Sequence, residues 1–301
     1  MKAAHALETA LVGALAASVR ALPWRASLGL GAALGGTLGA LGLRRRVAEA
    51  NLARAFPERT PAERGAILAA HYRELGRVAF EYARLPELAR APAGEVARVE
   101  GVEHLERARA AGRGAVLMSG HFGNFELGVA VVGGYHPVEL VVRPLSNPGV
   151  EQVLARARTA AGVGQISAVT GTRRAYQALR EGRWVAMLGD QDGRRHGVFV
   201  PFLGRPASTP IGPARIALAT GAPIIMGFDL RQPDGSHVIE IEPPIEPGDP
   251  REPGAAERLT ALHVARLERR VRERPECWFW LHRRWKTAPP APDAGAAPRR
   301  A

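Results

Sequence analysis

Short apolar segments alternate with longer amphipathic segments after Pro92, and this alternation constrains the fold more than any other feature of the sequence. The short segments have the length of buried strands, and the longer ones place apolar residues at helical spacing. The alternation predicts an α/β domain whose mixed, largely parallel sheet is covered by helices. The predicted strands are Ala115–Ser119, Val138–Val142, Trp184–Gly189, Pro223–Phe228 and His237–Ile241. The predicted helices are His104–Ala111, Phe125–Val132, Pro148–Ala161, Arg173–Glu181, Pro210–Thr220 and Ala255–Arg272.

The N-terminal residues 8–43 are apolar and rich in glycine and alanine. Their longest uninterrupted run, residues 26–43, is about 18 residues long, at the short end for a bilayer span. Glycines at four-residue spacing, which let helices in a membrane approach closely, occur in it at Gly31, Gly35 and Gly39. We therefore predict an apolar, membrane-associating helix within residues 1–46, which spans the bilayer or lies in its interface. The basic triplet at 44–46 places this flank on the cytoplasmic side, and a buried helix of a soluble protein is the alternative.

The next boundary is a helix start at Thr60, where the sequence continues with Pro61, Ala62 and Glu63. Thr60 and Glu63 have the spacing of a capping box, and the helix is predicted to run to Leu85. The main domain is predicted to occupy residues 47–287. The remainder, residues 288–301, is rich in proline and alanine and is predicted to be disordered.

The formal net charge is +12, from 41 basic and 29 acidic residues. Such a surface favours anionic partners, although an arginine-rich composition alone can produce the same balance. The single cysteine, Cys277, excludes an intramolecular disulfide and a Cys/His metal cage. Nucleic acid is not expected as a partner, because aromatic residues make up only 6% of the chain and no nucleic-acid-binding motif is present.

The strongest candidates for chemistry are His121 and Glu126. His121 follows a predicted buried strand at its carboxyl end, where α/β folds place their sites, and Glu126 falls in the first turn of the next helix. A neutral imidazole can accept a proton from an attacking hydroxyl near pH 7, and a carboxylate in contact with it fixes its tautomer. Amides at the helix N-terminus could hold the developing oxyanion. The alternative is a histidine at a helix end beside a solvated glutamate.

The stretch from His121 to Glu126 resembles the His-x4-Asp/Glu motif of the bacterial lipid A biosynthesis acyltransferases of the lauroyl/myristoyl type, a family that also includes phosphatidylinositol mannoside acyltransferase. The resemblance extends in order along the chain. The further blocks are Asn51-Leu52 with Phe56-Pro57, Val142-Arg143-Pro144 with Asn147-Pro148, Asp190-Gln191-Asp192, Val200–Gly204 with Thr209, and Trp280–Lys286.

The resemblance implies a glycerophosphate-acyltransferase-like α/β fold and an inner-membrane enzyme whose active site faces the cytoplasm. It implies that an acyl chain moves from a thioester, on acyl carrier protein or coenzyme A, to a hydroxyl of a lipid A precursor or similar glycolipid. His121 would be the general base and Glu126 the residue that orients it; membrane lipids are further partners, and no cofactor or metal is expected. The implied substrate-binding residues are Gly123, Asn124, Arg143, Asp190, Asp192, Phe202 and Thr209.

Elementary chemistry supports a substrate-binding role for some of these residues, and each of them also has an alternative role. The guanidinium of Arg143 can bind a phosphate in a fork, or it can form a structural ion pair. Asp190 and Asp192 could bind a substrate hydroxyl or orient the histidine, and two carboxylates do not define a metal site. The apolar stretch around Phe202 could line an acyl channel or pack in the core.

Two other functions compete with this assignment. Lysophospholipid and glycerolipid acyltransferases share the His-x4-Asp pattern but carry a Pro-Glu-Gly-Thr-Arg-like block, and the nearest string here, Val169–Arg173, lacks the Pro-Glu. A non-catalytic, basic membrane-binding protein would also fit the charge and the apolar N-terminus, and it would not need His121.

Overall fold

The computed structural model describes residues 2–290, so most of the tail that is predicted to be disordered lies outside the described residues. Its centre is a seven-stranded sheet with the strand order β1-β9-β8-β2-β5-β3-β4. A separate hairpin is formed by β6 and β7. The strands are β1 (Ala97–Glu100), β2 (Ala115–Ser119), β3 (Val138–Val142), β4 (Gly164–Ser167), β5 (Trp184–Leu188), β6 (Val198–Phe202), β7 (Arg205–Thr209), β8 (Ile224–Arg231) and β9 (His237–Ile241).

All neighbours in the large sheet are parallel except β8 and β9, which are antiparallel. Helices cover both faces, and β5 and the first four residues of β2 are therefore apolar throughout rather than alternating. Ala115 and Val116 of β2, for example, are fully buried. Because parallel strands end at one edge, the loops after β2, β3, β5 and β8 meet there, and this edge carries the candidate site.

The mixed, largely parallel α/β sheet predicted from the sequence is confirmed, and each of the five predicted strands is present. The sequence missed β1 and β4 because they are four-residue edge strands with little apolar signal. It also missed the β6–β7 hairpin, in which Pro201 pairs with Pro206, since proline is typical of loops. The two turn residues, Leu203 and Gly204, both have positive φ, as a tight hairpin turn of this kind requires.

The helices follow the predicted pattern within a few residues at their ends. The predicted capping box is present: Glu63 N donates to Thr60 Oγ1 (3.2 Å), and Thr60 N donates to the Glu63 carboxylate (2.7 Å). The helices are α1 (Lys2–Ala21), α2 (Trp24–Ala40), α3 (Arg45–Ala55), α4 (Pro61–Tyr82), α5 (Leu85–Ala89), α6 (Val102–Ala111), α7 (Phe125–Val132), α8 (Pro148–Ala160), α9 (Thr172–Arg180), α10 (Gly212–Thr220) and α11 (Ala255–Glu273).

The N-terminal apolar region forms two helices, which are interrupted before Pro23. The glycine face of α2 packs directly on α4: a Cβ on Gly35 would lie 2.0 Å from the carbonyl oxygen of Tyr72, and one on Gly31 would lie 2.7 Å from that of Gly76. The four-residue spacing of glycines, which the sequence analysis related to helix contacts in a membrane, thus allows α2 to pack closely on α4 within this protein. Among the described residues no single helix is long and apolar enough to cross a bilayer, although the bent pair α2 and α3 satisfies the length and composition criteria together.

Candidate active site

His121 is separated from the end of β2 by Gly120, and a tight turn connects it to α7. Gly123 makes this turn possible because its φ is +55° and a Cβ there would lie 2.2 Å from the carbonyl oxygen of Asp229. Phe122 is fully buried and pairs with Trp278 in an isolated antiparallel bridge. The backbone on both sides of His121 is therefore anchored, while its imidazole remains 29% exposed.

The Asp190 carboxylate, which follows β5, holds the imidazole from behind. Its Oδ1 lies 2.8 Å from His121 Nδ1, and its Oδ2 accepts the backbone N–H of His121 at 2.8 Å and the indole N–H of Trp278 at 2.9 Å. Asp190 is almost completely buried. Because an ionised carboxylate only accepts hydrogen bonds, Nδ1 carries a proton, and Nε2 is left as the basic nitrogen.

The electrostatics of the pair favour a charged imidazolium. Burial alone would lower the pKa of His121, but the charge and hydrogen bond of Asp190 outweigh burial and raise the pKa above its ordinary value. Burial would raise the pKa of Asp190, but His121 and Trp278 lower it to about 2. Asp190 therefore stays ionised, and His121 is a stronger base than a free imidazole.

The free nitrogen of His121 faces a partly open site. Gln191 Nε2 lies 3.3 Å from His121 Nε2, a long contact that a substrate hydroxyl could replace. The rings of Phe125 and Phe279 lie 5.5 and 6.1 Å from the imidazole, centroid to centroid. The site thus offers one basic nitrogen between an amide and two aromatic walls.

The sequence prediction that Glu126 contacts the imidazole is wrong, because the structure places that carboxylate in another ion pair. Glu126 accepts hydrogen bonds from Nη2 and Nε of Arg158, a residue of α8, at 2.9–3.2 Å, and both side chains are buried. Glu151, Gln165 and Tyr82 complete the surroundings of the guanidinium. Glu126 still helps to raise the pKa of His121 through its charge, after the larger influence of Asp190.

Asn124 and Gly123, both predicted as substrate contacts, form the turn. Asn124 is almost completely buried; it caps α7 by accepting the N–H of Leu127 at 3.1 Å and donates to Glu81 at 2.9 Å. Its own N–H points to Asp229 at 3.4 Å. These two residues hold the His121 turn in place. Asn124 has little surface for a ligand, which corrects its prediction, whereas a substrate contact at the partly buried Gly123 stays a prediction.

The partners of Asn124 belong to a buried ionic network, which we define as Glu81 of α4, Asp229 and Arg231 of β8 and His237 of β9. His237 bridges Asp229 (2.7 Å) and Glu81 (3.0 Å) through its two nitrogens, and Arg231 binds both oxygens of Glu81. Burial would lower the pKa of His237, but the two carboxylates raise it to about 10, so it is charged near neutral pH. The network fastens the His121 turn to α4 and to both antiparallel strands.

Phe202 and Thr209 lie in the packed interior of the β6–β7 hairpin, and their prediction as substrate contacts is corrected. Both are fully buried. Phe202 packs against Trp278 and Trp285, and Thr209 accepts a hydrogen bond from Arg284 at 2.6 Å. Neither side chain has a surface left for a substrate.

Arg284 is also buried, and it ties the C-terminal segment to the site. It donates to the carbonyl oxygens of Ser208 and Gln191, and burial lowers its pKa to about 10. Asp192 lies beside this contact: its N–H points to His282 Nε2 at 3.2 Å, and its carboxylate accepts from Thr287 at 2.9 Å. Asp192 therefore braces the loop after β5 and does not touch His121.

Arg143 follows β3 at the same edge of the sheet and is exposed. Within residues 2–290 its guanidinium forms no ion pair, so it is free to meet an anion there. The same described region contains no cluster of three or more His, Cys, Asp or Glu residues that could hold a metal ion.

Sequence reasoning missed several residues of this site. Arg158, Trp278 and the ionic network contact the His121 turn from distant parts of the chain, and no local spacing signals them. Gln191 lies between the predicted residues Asp190 and Asp192, and this position in the sequence was the only indication that it belongs to the site.

A narrow apolar cavity lies beneath α7, next to the site. Phe125, which contacts His121, forms part of its wall, together with Gly128, Val129 and Leu140. Gly128 contributes no side chain to this wall, and a Cβ at this position would make only an ordinary van der Waals contact with Asp229, at 3.8 Å.

Comparison with known proteins places these features in a family. The sequence matches the family described as bacterial lipid A biosynthesis acyltransferase over residues 2–287. It is 30% identical to the lipid A biosynthesis palmitoleoyltransferase of Escherichia coli K12 over 264 residues, which cover 85% of each chain. It is 31% identical to the lauroyltransferase of the same organism, again covering 85% of each chain.

Two more distant similarities were found. The phosphatidylinositol mannoside acyltransferase of Mycolicibacterium smegmatis is 28% identical, covering 72% of this chain and 70% of the relative. The crystal structure of the 1-acyl-sn-glycerophosphate acyltransferase of Thermotoga maritima aligns with a TM-score of 0.40 and 15% identity, covering 83% of this chain and 98% of that one. The sequence match along nearly the whole chain is what decides the assignment: the protein is an acyltransferase and belongs to the bacterial lipid A biosynthesis acyltransferase family.

Proposed function

We propose that this protein transfers a fatty acyl chain from an acyl thioester to a hydroxyl of a lipid A precursor or similar glycolipid, with His121 as the general base. The observation that carries the proposal is the pair of His121 and Asp190, which leaves Nε2 basic on a partly exposed side chain at the carboxyl edge of the sheet. The pair does what the sequence assigned to Glu126: its carboxylate fixes the tautomer and stabilises the imidazolium that forms.

The reaction balances with these groups. His121 Nε2 removes the proton of the acceptor hydroxyl as its oxygen attacks the thioester carbonyl. The first amides of α7, at Phe125 and Glu126, are candidates to stabilise the oxyanion. The carbon–sulfur bond then breaks, the ester forms, and the imidazolium returns its proton to the thiolate.

Glu126 acts through Arg158 in this proposal. The buried ion pair holds the start of α7, and the negative charge of Glu126 adds to the field that favours the imidazolium. Replacing Glu126 alone would leave a buried, uncompensated guanidinium, which is costly. Glu126→Gln should therefore lose more activity than a variant that also carries Arg158→Gln.

The cavity beneath α7 is the proposed site for the acyl chain, and it would have to widen from its volume of about 40 Å³ to take one. It is lined mainly by apolar side chains, and burying each methylene of an acyl chain stabilises the complex by about 0.8 kcal/mol. Its wall includes Phe125 beside His121, so a thioester carbonyl at the imidazole could extend its chain into the cavity. The acceptor and Arg143 would then meet at the open side of the site.

The N-terminal helices are proposed to attach the protein to the inner membrane, with the site facing the cytoplasm. Exposed leucines repeat every four residues along one face of each helix, and we define this set as the leucine faces. Helices with such faces lie in the membrane interface. The leucine faces comprise Leu7, Leu11 and Leu15 of α1 and Leu30, Leu34 and Leu38 of α2.

The test is acyl transfer by the purified full-length protein in detergent. Thioesters of acyl carrier protein and of coenzyme A are offered with lipid A precursors, phosphatidylinositol mannosides and lysophospholipids, and the products are identified by mass spectrometry. His121→Ala should reduce turnover by on the order of 100-fold or more while the fold, checked by circular dichroism, is kept. A folded His121→Ala protein with near-normal turnover would show that His121 is structural.

A further inference from the structure

Four exposed cations border the active site, and we define them as the basic surface: Arg194, Arg195, Arg283 and Lys286. They lie on two chain segments that contact each other. Asp192 N points to His282 Nε2 at 3.2 Å, and Thr287 donates to the Asp192 carboxylate at 2.9 Å. Since the neighbouring Gln191 lies 3.3 Å from the basic nitrogen of His121, the basic surface adjoins the catalytic group.

In the part of the chain that the structure describes, the charges of the basic surface are unpaired, as are those of other exposed arginines such as Arg46, Arg73 and Arg143; what distinguishes the basic surface is that the segments around it carry no carboxylate. In residues 2–290, none of its four side chains lies within ion-pair distance of a carboxylate. The cause is visible in the sequence, since residues 193–228 and 277–290 contain no Asp or Glu. By contrast, arginines on α11 that are also accessible are each paired with a glutamate: Arg258, Arg266, Arg269 and Arg272.

The basic surface also differs from the leucine faces. The large hydrophobic side chains that are exposed lie mainly on α1, on α2 and in the turn after α2. Within the described residues, none lies in segments 190–210 or 277–290. A charged surface without exposed apolar groups suits a partner that arrives from water rather than from the bilayer.

The backbone that presents the cations is fixed before any partner binds. Gly193 N donates to the carbonyl oxygen of Ser208 at 3.0 Å, and Ser208 Oγ donates to that of Arg194 at 2.7 Å. Arg194 is one of few non-glycine residues with a positive φ, +55°, which this anchoring maintains. A fixed surface loses less entropy on docking than a loop that must first be ordered.

We propose that the basic surface docks the acidic face of a protein that carries the acyl chain as a thioester. This deepens the proposed function and rests on it. The four charges spread over an open surface built from two segments, which fits the extended acidic face of a carrier protein better than a single phosphate. Docking there would deliver the thioester to Nε2 of His121 from the aqueous side, while the acceptor glycolipid comes from the leucine faces.

The experiment compares two charge-matched variants of the full chain. The first replaces all four cations of the basic surface by glutamine, and the control replaces the four paired arginines of α11 in the same way. Values of kcat/KM are measured with one acyl chain on acyl carrier protein, on coenzyme A and on a short neutral thioester, at low and high ionic strength. The substitutions are Arg194→Gln, Arg195→Gln, Arg283→Gln and Lys286→Gln, against Arg258→Gln, Arg266→Gln, Arg269→Gln and Arg272→Gln.

At low ionic strength the basic-surface variant should lose about tenfold in kcat/KM with the carrier-linked donor, with a much smaller loss for the neutral thioester. High ionic strength should reduce the unaltered protein to the level of the variant. The proposal is overturned if the α11 control loses as much, if all three donors lose equally, or if the loss is as large with coenzyme A.

A failure of the proposed function would give a different result. If the unaltered protein transferred no acyl chain from any donor, binding of fluorescently labelled acyl carrier protein would still test docking by anisotropy. Weaker binding by the basic-surface variant than by the α11 control would support the docking site. Equal binding by the two would overturn it.

Discussion

The Asp190 carboxylate accepts hydrogen bonds from the imidazole and backbone of His121 and from the indole of Trp278. Each of these contacts favours the ionised carboxylate, and the charge of that carboxylate in turn favours the imidazolium. The His121 base is therefore tuned by a residue that lies 69 positions away in the sequence. The His-x4-Glu spacing gives the position of the base but does not identify its partner.

Asp190→Asn should remove the carboxylate that raises the pKa of His121 while leaving the imidazole in place. With Asp190 present, the pKa of His121 is raised, so activity falls as the pH drops below that raised value and the imidazole is protonated. Without the carboxylate, burial dominates and lowers the pKa, and the acidic limb of kcat/KM should move to lower pH. Maximal turnover should fall on the order of 100-fold, because the tautomer is no longer fixed.

The comparison for this shift is Asp192→Asn, which removes a carboxylate that contacts Thr287 and not the imidazole. Its acidic limb should stay at the position of the unaltered protein, whatever its turnover. An Asp190→Asn profile that coincides with that of the unaltered protein would mean that another group sets the pKa of His121.

Between elements, the buried ionic network connects α4, β8 and β9 to the turn that carries His121. Glu81→Gln should weaken the contacts with Asn124, Arg231 and His237 and so loosen this turn. We expect turnover to fall about tenfold with little change in KM, together with a destabilisation of about 3 kcal/mol from the unpaired buried cations.

A control is available because Glu139 of β3 is also buried and pairs with Arg174 and Arg183 away from the site. Glu139→Gln should cost less stability, because Arg174 and Arg183 are 37% and 43% exposed and stay hydrated, and it should leave turnover nearly unchanged. Melting temperature and kcat measured for both variants distinguish the two roles. Equal losses of kcat would show that the ionic network only stabilises the fold.

The leucine faces lead to a prediction about membrane binding. Replacing Leu30, Leu34 and Leu38 by serine should reduce binding of the full-length protein to vesicles of anionic lipids in high salt, because the apolar contact is lost and charge is screened. Substitutions are preferable to deletion of residues 1–43, since the opposite face of α2 packs on α4. Leu262→Ser on α11, where the leucine is 54% exposed, is the control. Unchanged sedimentation of the triple variant with vesicles would exclude α2 as an attachment site.

The same elements show what a sequence can predict. The buried strands and the capped helix α4 were predictable because apolar runs and the Thr60–Glu63 box are local signals. The edge strands β1 and β4 were not, because pairing with a neighbour rather than residue pattern creates them. The contact of Glu126 with Arg158 depends on how α7 and α8 pack, which no spacing within one segment encodes.

For the whole molecule, buried histidines predict how stability depends on pH. Burial lowers the pKa of His71, on α4, to about 4 and that of His263, on α11, also to about 4. The unfolded chain protonates these groups near pH 6.5, whereas the folded protein does so only near pH 4. Stability should therefore fall as the pH drops from about 6.5 to about 4, by roughly 3 kcal/mol for each histidine.

His237 makes stability depend on pH in the opposite direction. Its pKa is raised to about 10, so the folded protein keeps a proton that the unfolded chain releases above about pH 6.5. This stabilisation is complete below pH 6.5 and is lost as the pH rises through about 10. The free energy of unfolding should thus pass through a maximum near pH 6.5, which urea titrations in detergent over a series of pH values can locate. His71→Gln should remove about half of the slope on the acidic side, and an unchanged slope would show that His71 is not buried as a neutral imidazole.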